Sequence, residues 1–553
     1  MVTVASYIAQ FLKKHNIDYI FGYQGSAMLK ILDEIVGAGI SYVQNFHEQA
    51  SSFSADAYAR INGNIGVAIA TSGPGAVNMI GGISDAYFDS VPVLFITGQD
   101  YLKNLTAGNG ARQNGFQDMD IVSMVRTITK YAAMLDDPKM IRFELEKAFY
   151  YATTGRKGPV LIDVPIDLQF KEIDETGLQE FMPDFLSCDR SITDNVLEDI
   201  VKLIENSEKP VILAGGGIRG AGAVSNLNAF IEKTNIPVVS TLNGLDVTEK
   251  TVGFTGLYGN TEANLALKNA DLILALGTRF AQQHTGKQKE LYNTTAKVIH
   301  VDIDKTEPGR TFIKPEISVV ADLSDFLQAI NKKNIHVAVN AWNETIEGWK
   351  QKYKDSVCRS DKYVDPILLI RKISKYSSKD AVYTSDVGAN QMWVAQGLRL
   401  KQGQRLLNSS GFGSMGFSLP AAIGASYLKP EVIAFMGDGG FQMNIQELNT
   451  LSLRRNNVKC FIFNNNNLGL MRNLQKKYYS NHFYGNNERE FCCPDIKKLA
   501  DAYQLDYLRL NTNDDLEIIE EVLLKKGPCL VDVQTDIDLT PLTKYEDEAF
   551  NNG

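Results

Sequence analysis

Two neighbouring stretches decide how this chain is read: Val432-Ile433-Ala434-Phe435-Met436-Gly437-Asp438-Gly439 and Cys460-Phe461-Ile462-Phe463-Asn464-Asn465-Asn466. Each is a short apolar run closed by Gly, Asp or Asn. Continuous rather than alternating apolar character marks strands covered on both faces, as in the parallel sheets of α/β domains. In such sheets ligands bind outside the carboxyl ends of the strands. The 24 residues between Gly439 and Asn464 therefore bring a carboxylate, Asp438, and an amide oxygen, Asn465, to one sheet edge. Hard oxygen ligands with open positions suit Mg2+ carrying a phosphate of a substrate or cofactor. Glycines beside the Asp let backbone amides approach that phosphate. Either piece alone reads as an ordinary turn, but the pair at this spacing reads as a site.

Similar runs recur on both sides of this pair: YVQNF at 42–46, VAIAT at 67–71, VLFIT at 93–97, VLIDV at 160–164, VILAGGG at 211–217, DLILALG at 271–277, VIHVDID at 298–304 and CLVDVQT at 529–535. They fall into three groups, separated by polar, weakly periodic stretches near 170–192 and 335–362. The second stretch reads equally as a helical connector. The expected architecture is three doubly wound, parallel-sheet α/β domains at 1–170, 190–335 and 360–535, with a mobile tail at 536–553.

Composition agrees with a globular chain of about three domains: 553 residues, 44% hydrophobic and 22% charged, with 44 Gly and only 16 Pro. A formal charge of −9, with no basic run, excludes a chain built to neutralise nucleic-acid phosphates. No apolar stretch approaches the roughly 18 residues of a membrane span. The start, MVTVASYIAQFLKKHN, lacks a charged-then-apolar leader, so a cytoplasmic protein is expected. Six cysteines form no CxxC pair and read as reduced thiols. Six histidines show no HExxH spacing, so a His-rich zinc site has no support.

The pair of runs is similar to a thiamine diphosphate motif, and other segments extend the likeness. They are FGYQGSAMLKILDEI (21–35), FHEQASSFSADAYAR (46–60), IATSGPGAVNMIGGISDAYFDSVPVLFITG (69–98), GFQDMDI (115–121) with ITK (128–130), GRKGPVLIDVP (155–165), GTRF (277–280), HVDID (300–304), SSGFGSMGFSLPAAIGA (409–425) and GDGGFQMNIQEL (437–448). From end to end the chain resembles the acetohydroxyacid (acetolactate) synthase catalytic-subunit family. That resemblance implies an enzyme using thiamine diphosphate and Mg2+, which decarboxylates pyruvate or a similar 2-ketoacid and transfers the two-carbon unit to an acceptor carbonyl. It also implies a homodimer or homotetramer, with the cofactor between the first domain of one subunit and the third domain of its partner.

The resemblance assigns roles by position. Glu48 matches the glutamate that hydrogen-bonds N1′ of the aminopyrimidine, general acid/base work at one remove. Met415 matches the apolar residue that bends the cofactor into a V. Asp438 and Asn465 match the side-chain ligands of Mg2+, with the backbone carbonyl of Asn467 a third. Gly25, Pro74, Gly388, Gly413, Gly437, Gly439, Gly440, Leu468 and Gly469 match cofactor-lining positions, although Pro74 reads equally as a structural turn residue. Phe116, Gln117 and Lys130 match residues near the reacting carbons. The family usually has Gln-His where this chain has Ala389-Asn390, and often Ser at Gly440, so a different set of phosphate contacts is expected.

In the middle domain, Gly215, Gly217 and Gly220 stand in a GxGxxG register after VILA. The acidic residue that a dinucleotide site places at the end of the next strand is absent, since VVSTLNG passes through Ser240 and Thr241. An NAD-dependent dehydrogenase is therefore a poor reading. The resembling family holds a structural FAD here, and the matching positions are Arg156, Gly216, Thr241, Leu242, Gly277, Arg279 and Asp302. The alternative is a pseudo-Rossmann domain without flavin.

Acceptor-side positions depart from the family. Where it carries RFDDRVTG and a Trp beyond the NN motif, this chain has Gln283 for the second Arg and Leu474 for the Trp, with Met471 nearby. An amide cannot give the charge-assisted, bidentate grip of a guanidinium on a carboxylate. An acceptor without a 2-carboxylate, such as an aldehyde or keto sugar, is expected. Arg472 keeps condensation of two pyruvates open. A simple decarboxylase would be favoured by a His pair, but His15 and His47 stand apart. A silent regulatory homologue is opposed by intact Glu48, Asp438 and Asn465.

Overall fold

The computed structural model describes residues 1–105, 110–183, 192–286, 293, 295–353 and 360–541. Most of the expected tail, with Cys188 and Cys358, lies outside the described residues. The chain builds three six-stranded, wholly parallel sheets in succession. In spatial order the first runs Ser41–Gln44, Tyr19–Tyr23, Gly66–Ala70, Val93–Gln99, Val160–Pro165 and Tyr131–Met134. The third runs Arg405–Asn408, Val382–Ser385, Val432–Gly437, Val458–Asn464, Cys529–Gln534 and Asp506–Leu510. These two sheets share one strand order, 2-1-3-4-6-5. The middle sheet runs Thr251–Phe254, Val238–Ser240, Pro210–Ala214, Leu272–Leu276, Lys297–Asp302 and Ile317–Val320, the 3-2-1-4-5-6 order of dinucleotide-binding folds.

Helices cover both faces, which is why the inner strands read as unbroken apolar runs; every residue of Val93–Gln99 is buried. The two polar stretches are less empty than the sequence suggests. Glu172–Ile173 pairs antiparallel with Val2–Thr3, so the first unit reaches past 170. The 335–362 stretch contains the helix Asn340–Tyr353. Its Trp342 is buried against the middle sheet and donates its indole N–H to the Pro210 carbonyl at 3.2 Å, so that helix extends the middle unit past 335. Among the described residues no helix is long and apolar enough to cross a membrane.

The units are clasped to one another. The helix Glu48–Asn62, rich in Ala and Ser, is buried along most of its length and packs on the helix Ser418–Ser426. Ser54 donates to the Pro420 carbonyl at 2.8 Å, and a side chain on Gly424 would strike the Ser54 backbone. Asp89, from the first unit, accepts from Asn243 of the middle unit at 3.1 Å and from the Ser410 and Gly411 amides of the third at 2.9 and 2.8 Å. Nearby, buried Asp246 takes Arg219 at 2.9 Å and Arg405 at 2.6 Å. Burial pushes the Asp246 carboxyl up, but the two guanidiniums outweigh it and hold it below the ordinary carboxylate range.

Candidate active site and cofactor-binding cleft

At the carboxyl edge of the third sheet, the strand Val432–Gly437 passes directly into the helix Asp438–Met443, and Val458–Asn464 ends beside it. Asp438 is buried, and its two oxygens accept from the amides of Gly439 at 2.8 Å and Asn467 at 3.1 Å. Burial pushes this carboxyl up to about 7 against those backbone bonds. Asn465 Oδ1 also accepts from the Asn467 amide, at 3.1 Å, and the buried Asn467 Oδ1 has no partner among the described residues. A desolvated carboxylate held by amides, with the Asn465 amide oxygen sharing the Asn467 N–H with it, fits a hard divalent cation. Asp438, Asn465 and the Asn467 carbonyl are the residues that would hold Mg2+.

The surrounding cradle comes from three loops. Gly388 has φ +135°, a conformation that favours glycine, and caps the helix Ala389–Gly397. Asn390 Oδ1 lies 2.9 Å from where a Cβ on Gly388 would stand and 3.4 Å from the same point on Gly437. The polar group between these glycines is thus Asn390, in place of the family's His. On the other side, a Cβ on Gly439 would meet Leu468 and come within 3.3 Å of Met415 Cε, which brings Met415, Gly439 and Leu468 into one apolar wall. Gly469 adjoins Asn465. The Gly413 amide donates to Ser409 at 2.9 Å, fixing the loop that carries Met415. Helix N-termini and close-packed glycines facing one edge form an anion-binding cradle suited to a diphosphate.

Asp386 escaped the sequence reading. It follows the strand Val382–Ser385, accepts from the Gly416 amide at 2.9 Å, and stands 2.6 Å from where a Cβ on Gly440 would be. It therefore accounts for glycine at 440. Phe491, also overlooked, borders the same wall. Only the position of Asp386 at a strand end could have singled it out; Phe491 carries no sequence signal.

The second cluster stands at the carboxyl edge of the first sheet. Glu48 is buried and opens the helix Glu48–Asn62. Its Oε2 accepts from Asn78 at 2.9 Å, while Oε1 faces Gly75, 3.3 Å from a notional Cβ there. Pro74 begins the helix Pro74–Asn78, and Gly25 packs on Thr71. Gly73, at φ +56°, lets Gln117 approach so closely that a Cβ would lie 2.8 Å from Gln117 Cβ. Gln117 itself has φ +58°, a strained conformation of the kind found at functional sites, and Phe116 beside it is exposed.

Lys130 does not join them. It precedes the strand Tyr131–Met134 and so stands at the opposite, amino edge of the sheet, donating to the Thr154 carbonyl at 2.7 Å. Burial pulls its ammonium down to about 8. In a parallel sheet, residues before and after strands occupy opposite edges, so one chain cannot bring Lys130 and Gln117 to the same end of this sheet.

A third site is a cavity of about 230 Å3 at the switch point of the middle sheet. Its lining includes Arg156, Gly216, Thr241, Gly277, Arg279 and Asp302. Leu242 is not among the lining residues; its side chain packs into the core shared with the third sheet. Gly220 leaves open space where a side chain would stand. Burial pushes the Asp302 carboxyl up to about 6. Arg156 is held by Asp304 at 2.8 Å and Glu307 at 2.9 Å. Glycine walls at a switch point, with Arg279 and Lys157 as cations beside the paired Arg156, fit a dinucleotide such as FAD.

On the acceptor side, Gln283 lies in the short helix Gln282–Thr285 and is exposed, as are Met471 and Leu474 of the helix Gly469–Tyr478. Arg472 is engaged: its Nε lies 3.2 Å from Asp538 and its guanidinium 4.1 Å over the Phe483 ring.

Comparison with known proteins agrees with this architecture. Residues 2–124 match the family described as thiamine pyrophosphate enzyme, N-terminal TPP binding domain; 197–330 match its central domain and 386–533 its C-terminal TPP binding domain. The chain is similar to a protein named acetolactate synthase large subunit from Lactococcus lactis, with 38% identity over 542 residues, 95% of this chain and 91% of the relative. A protein of the same name from Cyanidium caldarium is 36% identical over 560 residues, 96% of this chain and 92% of the relative. The chloroplastic acetolactate synthase of Arabidopsis thaliana is 36% identical over 551 residues, 96% of this chain and 81% of the relative.

Proposed function

The chain belongs to the thiamine-diphosphate enzymes of the acetolactate synthase family, which are carboligases, and from that premise we propose that it decarboxylates pyruvate or a similar 2-ketoacid and passes the two-carbon unit to an acceptor without a 2-carboxylate. An aldehyde or the keto group of a sugar has that chemistry. Thiamine diphosphate, bound between the Glu48 cluster of one subunit and the Asp438 cluster of its partner in a homodimer, supplies the carbon nucleophile. The chain's own residues do the rest. Asp438, Asn465 and the Asn467 carbonyl hold Mg2+, and Gly388, Gly437 and Asn390 receive the diphosphate. Met415 and Leu468 give an apolar floor that excludes water. Glu48, with Oε2 fixed by Asn78, uses Oε1 to take and return the proton at N1′ of the aminopyrimidine. Gln117 offers a hydrogen bond to the donor substrate. FAD fills the middle cleft as a structural group, since the overall reaction involves no net redox change, and the protein works in the cytoplasm.

The observation that carries the acceptor reading is the state of the two candidate grips. Position 283 is a neutral amide, and the other candidate cation, Arg472, is already occupied by Asp538 and Phe483. A second reading, condensation of two pyruvates to acetolactate, is favoured by the 36 to 38% identity to proteins of that name over nearly the whole chain. Labelled pyruvate supplied with a panel of 2-ketoacids, aldehydes and keto sugars separates them. The expected result is carbon dioxide release with a ligated product from a carboxylate-free acceptor, and slow acetolactate formation. Efficient acetolactate formation that no other acceptor surpasses would overturn the first reading in favour of the second.

A further inference from the structure

The segment after Asp438 leads to a carboxylate that none of the roles above uses. The helix Asp438–Met443 is followed by the short turn Ile445–Glu447, and Glu447 is fully buried. Its Oε1 accepts from the Phe46 amide at 2.7 Å, and its Oε2 from Asn45 Nδ2 at 2.9 Å and Thr450 Oγ1 at 3.0 Å. Residues 45–47 are all that separates the strand Ser41–Gln44 from the helix that Glu48 opens. Asn45 is in turn bonded to Ser54, on that helix, at 3.2 Å.

A buried carboxyl satisfied only by neutral donors is not a low-energy way to fill space, and an apolar residue would pack the junction at less cost. What the carboxyl provides is geometry: two acceptor oxygens that clamp the main chain and side chain of the two residues leading to His47 and Glu48. The same segment also reaches the third cofactor-facing group. Asn444 Nδ2 donates to the Gly416 carbonyl at 2.8 Å, next to Met415. Within one chain, residues 438–447 thus touch the metal end and apolar wall of one proposed site and, through Glu447, the approach to the proton-handling glutamate that serves the other.

We propose that Glu447 is a positioning residue for Glu48, through which the metal-bearing segment of the third sheet sets the orientation of the proton-handling carboxyl on the first. The inference rests on the reading that Glu48 handles the aminopyrimidine proton. The holoenzyme loaded with thiamine diphosphate and Mg2+ tests it through the rate at which the cofactor's C2 proton exchanges with solvent. Glu447→Gln keeps the size but turns an amide donor toward other donors. Exchange should fall roughly 10- to 100-fold, as for a small misplacement of a catalytic group, with cofactor and Mg2+ affinity unchanged. In the double variant Glu48→Gln/Glu447→Gln, exchange should equal that of Glu48→Gln alone, because the two act as one unit. Asn45→Ala, which removes one donor to the clamp, should give a smaller loss and carries the test if Glu447→Gln does not fold. Wild-type exchange in Glu447→Gln or, where that variant does not fold, in Asn45→Ala, alongside a defective Glu48→Gln, overturns the inference and leaves the Glu48 reading standing. Additive losses in the double variant overturn it too. Wild-type exchange in Glu48→Gln overturns the reading itself, and the inference with it.

Discussion

Replacing Asp438 by Asn keeps the side chain's size and one acceptor oxygen while removing the charge that a bound cation would neutralise. Asp438→Asn should therefore lower Mg2+ and thiamine diphosphate affinity by at least about 10-fold, the scale seen when metal sites lose supporting groups, and leave the cofactor-free melting temperature unchanged or higher. Titration of the cofactor followed by fluorescence, beside a melt without cofactor, checks both halves. Asp163 illustrates a buried carboxyl with a different task. It accepts from Thr97 at 2.7 Å and Gln99 at 2.9 Å inside the first sheet, and burial pushes it up to about 7. Between the ordinary Asp value and about 7 the folded chain holds a proton that the unfolded chain has released. Its contribution to stability is complete below the ordinary value and is lost as pH rises to about 7. Asp163→Asn cannot titrate, so its melting temperature should gain on the wild type between pH 5 and pH 8; a difference that stays flat or shrinks contradicts this.

At the scale of elements, the contact between the helices Glu48–Asn62 and Ser418–Ser426 depends on small residues, and Gly424 is its tightest point. Gly424→Ala should destabilise the protein by about 1–3 kcal/mol, the usual effect of overpacking, read as a lower melting temperature. This helix pair also shows what was legible beforehand and what was not. The central strands announced themselves because both faces are covered, so Val432–Gly437 and Val458–Asn464 appear as unbroken apolar runs. Edge strands such as Tyr131–Met134 and Asp506–Leu510 are only half-buried and do not stand out. The Asp438 and Asn465 cluster was legible because parallel strands deliver their ends to one edge. Glu447 was not, because its partner lies far off in the chain, a span of 401 residues separating it from Phe46, and Asp386 offered only its place at a strand end. Lys130 was matched by likeness alone, which says nothing of which sheet edge a residue occupies within one chain.

For the molecule as a whole, the docking of the middle unit on the third includes a charged cluster as well as apolar contact. Asp246 neutralises Arg219 of its own unit and Arg405 of the third. Asp246→Ala leaves both guanidiniums without their carboxylate, and the expected loss is about 3–5 kcal/mol, as for breaking a buried pair. Melting followed by tryptophan fluorescence checks the size of the effect. If the loss is under about 1 kcal/mol, the pair behaves as a solvent-exposed one.

The cavity in the middle unit has walls from residues as distant as Phe88, Asp302 and Ser410, one from each of the three units. An occupant can therefore bind only after all three have docked, and mass action then weights every state in which one has come away. Its loss would register less in the chemical step than in the lifetime of the protein. The emptied chain would offer its interdomain segments to proteases sooner, so digestion rate would report on the cleft before turnover does.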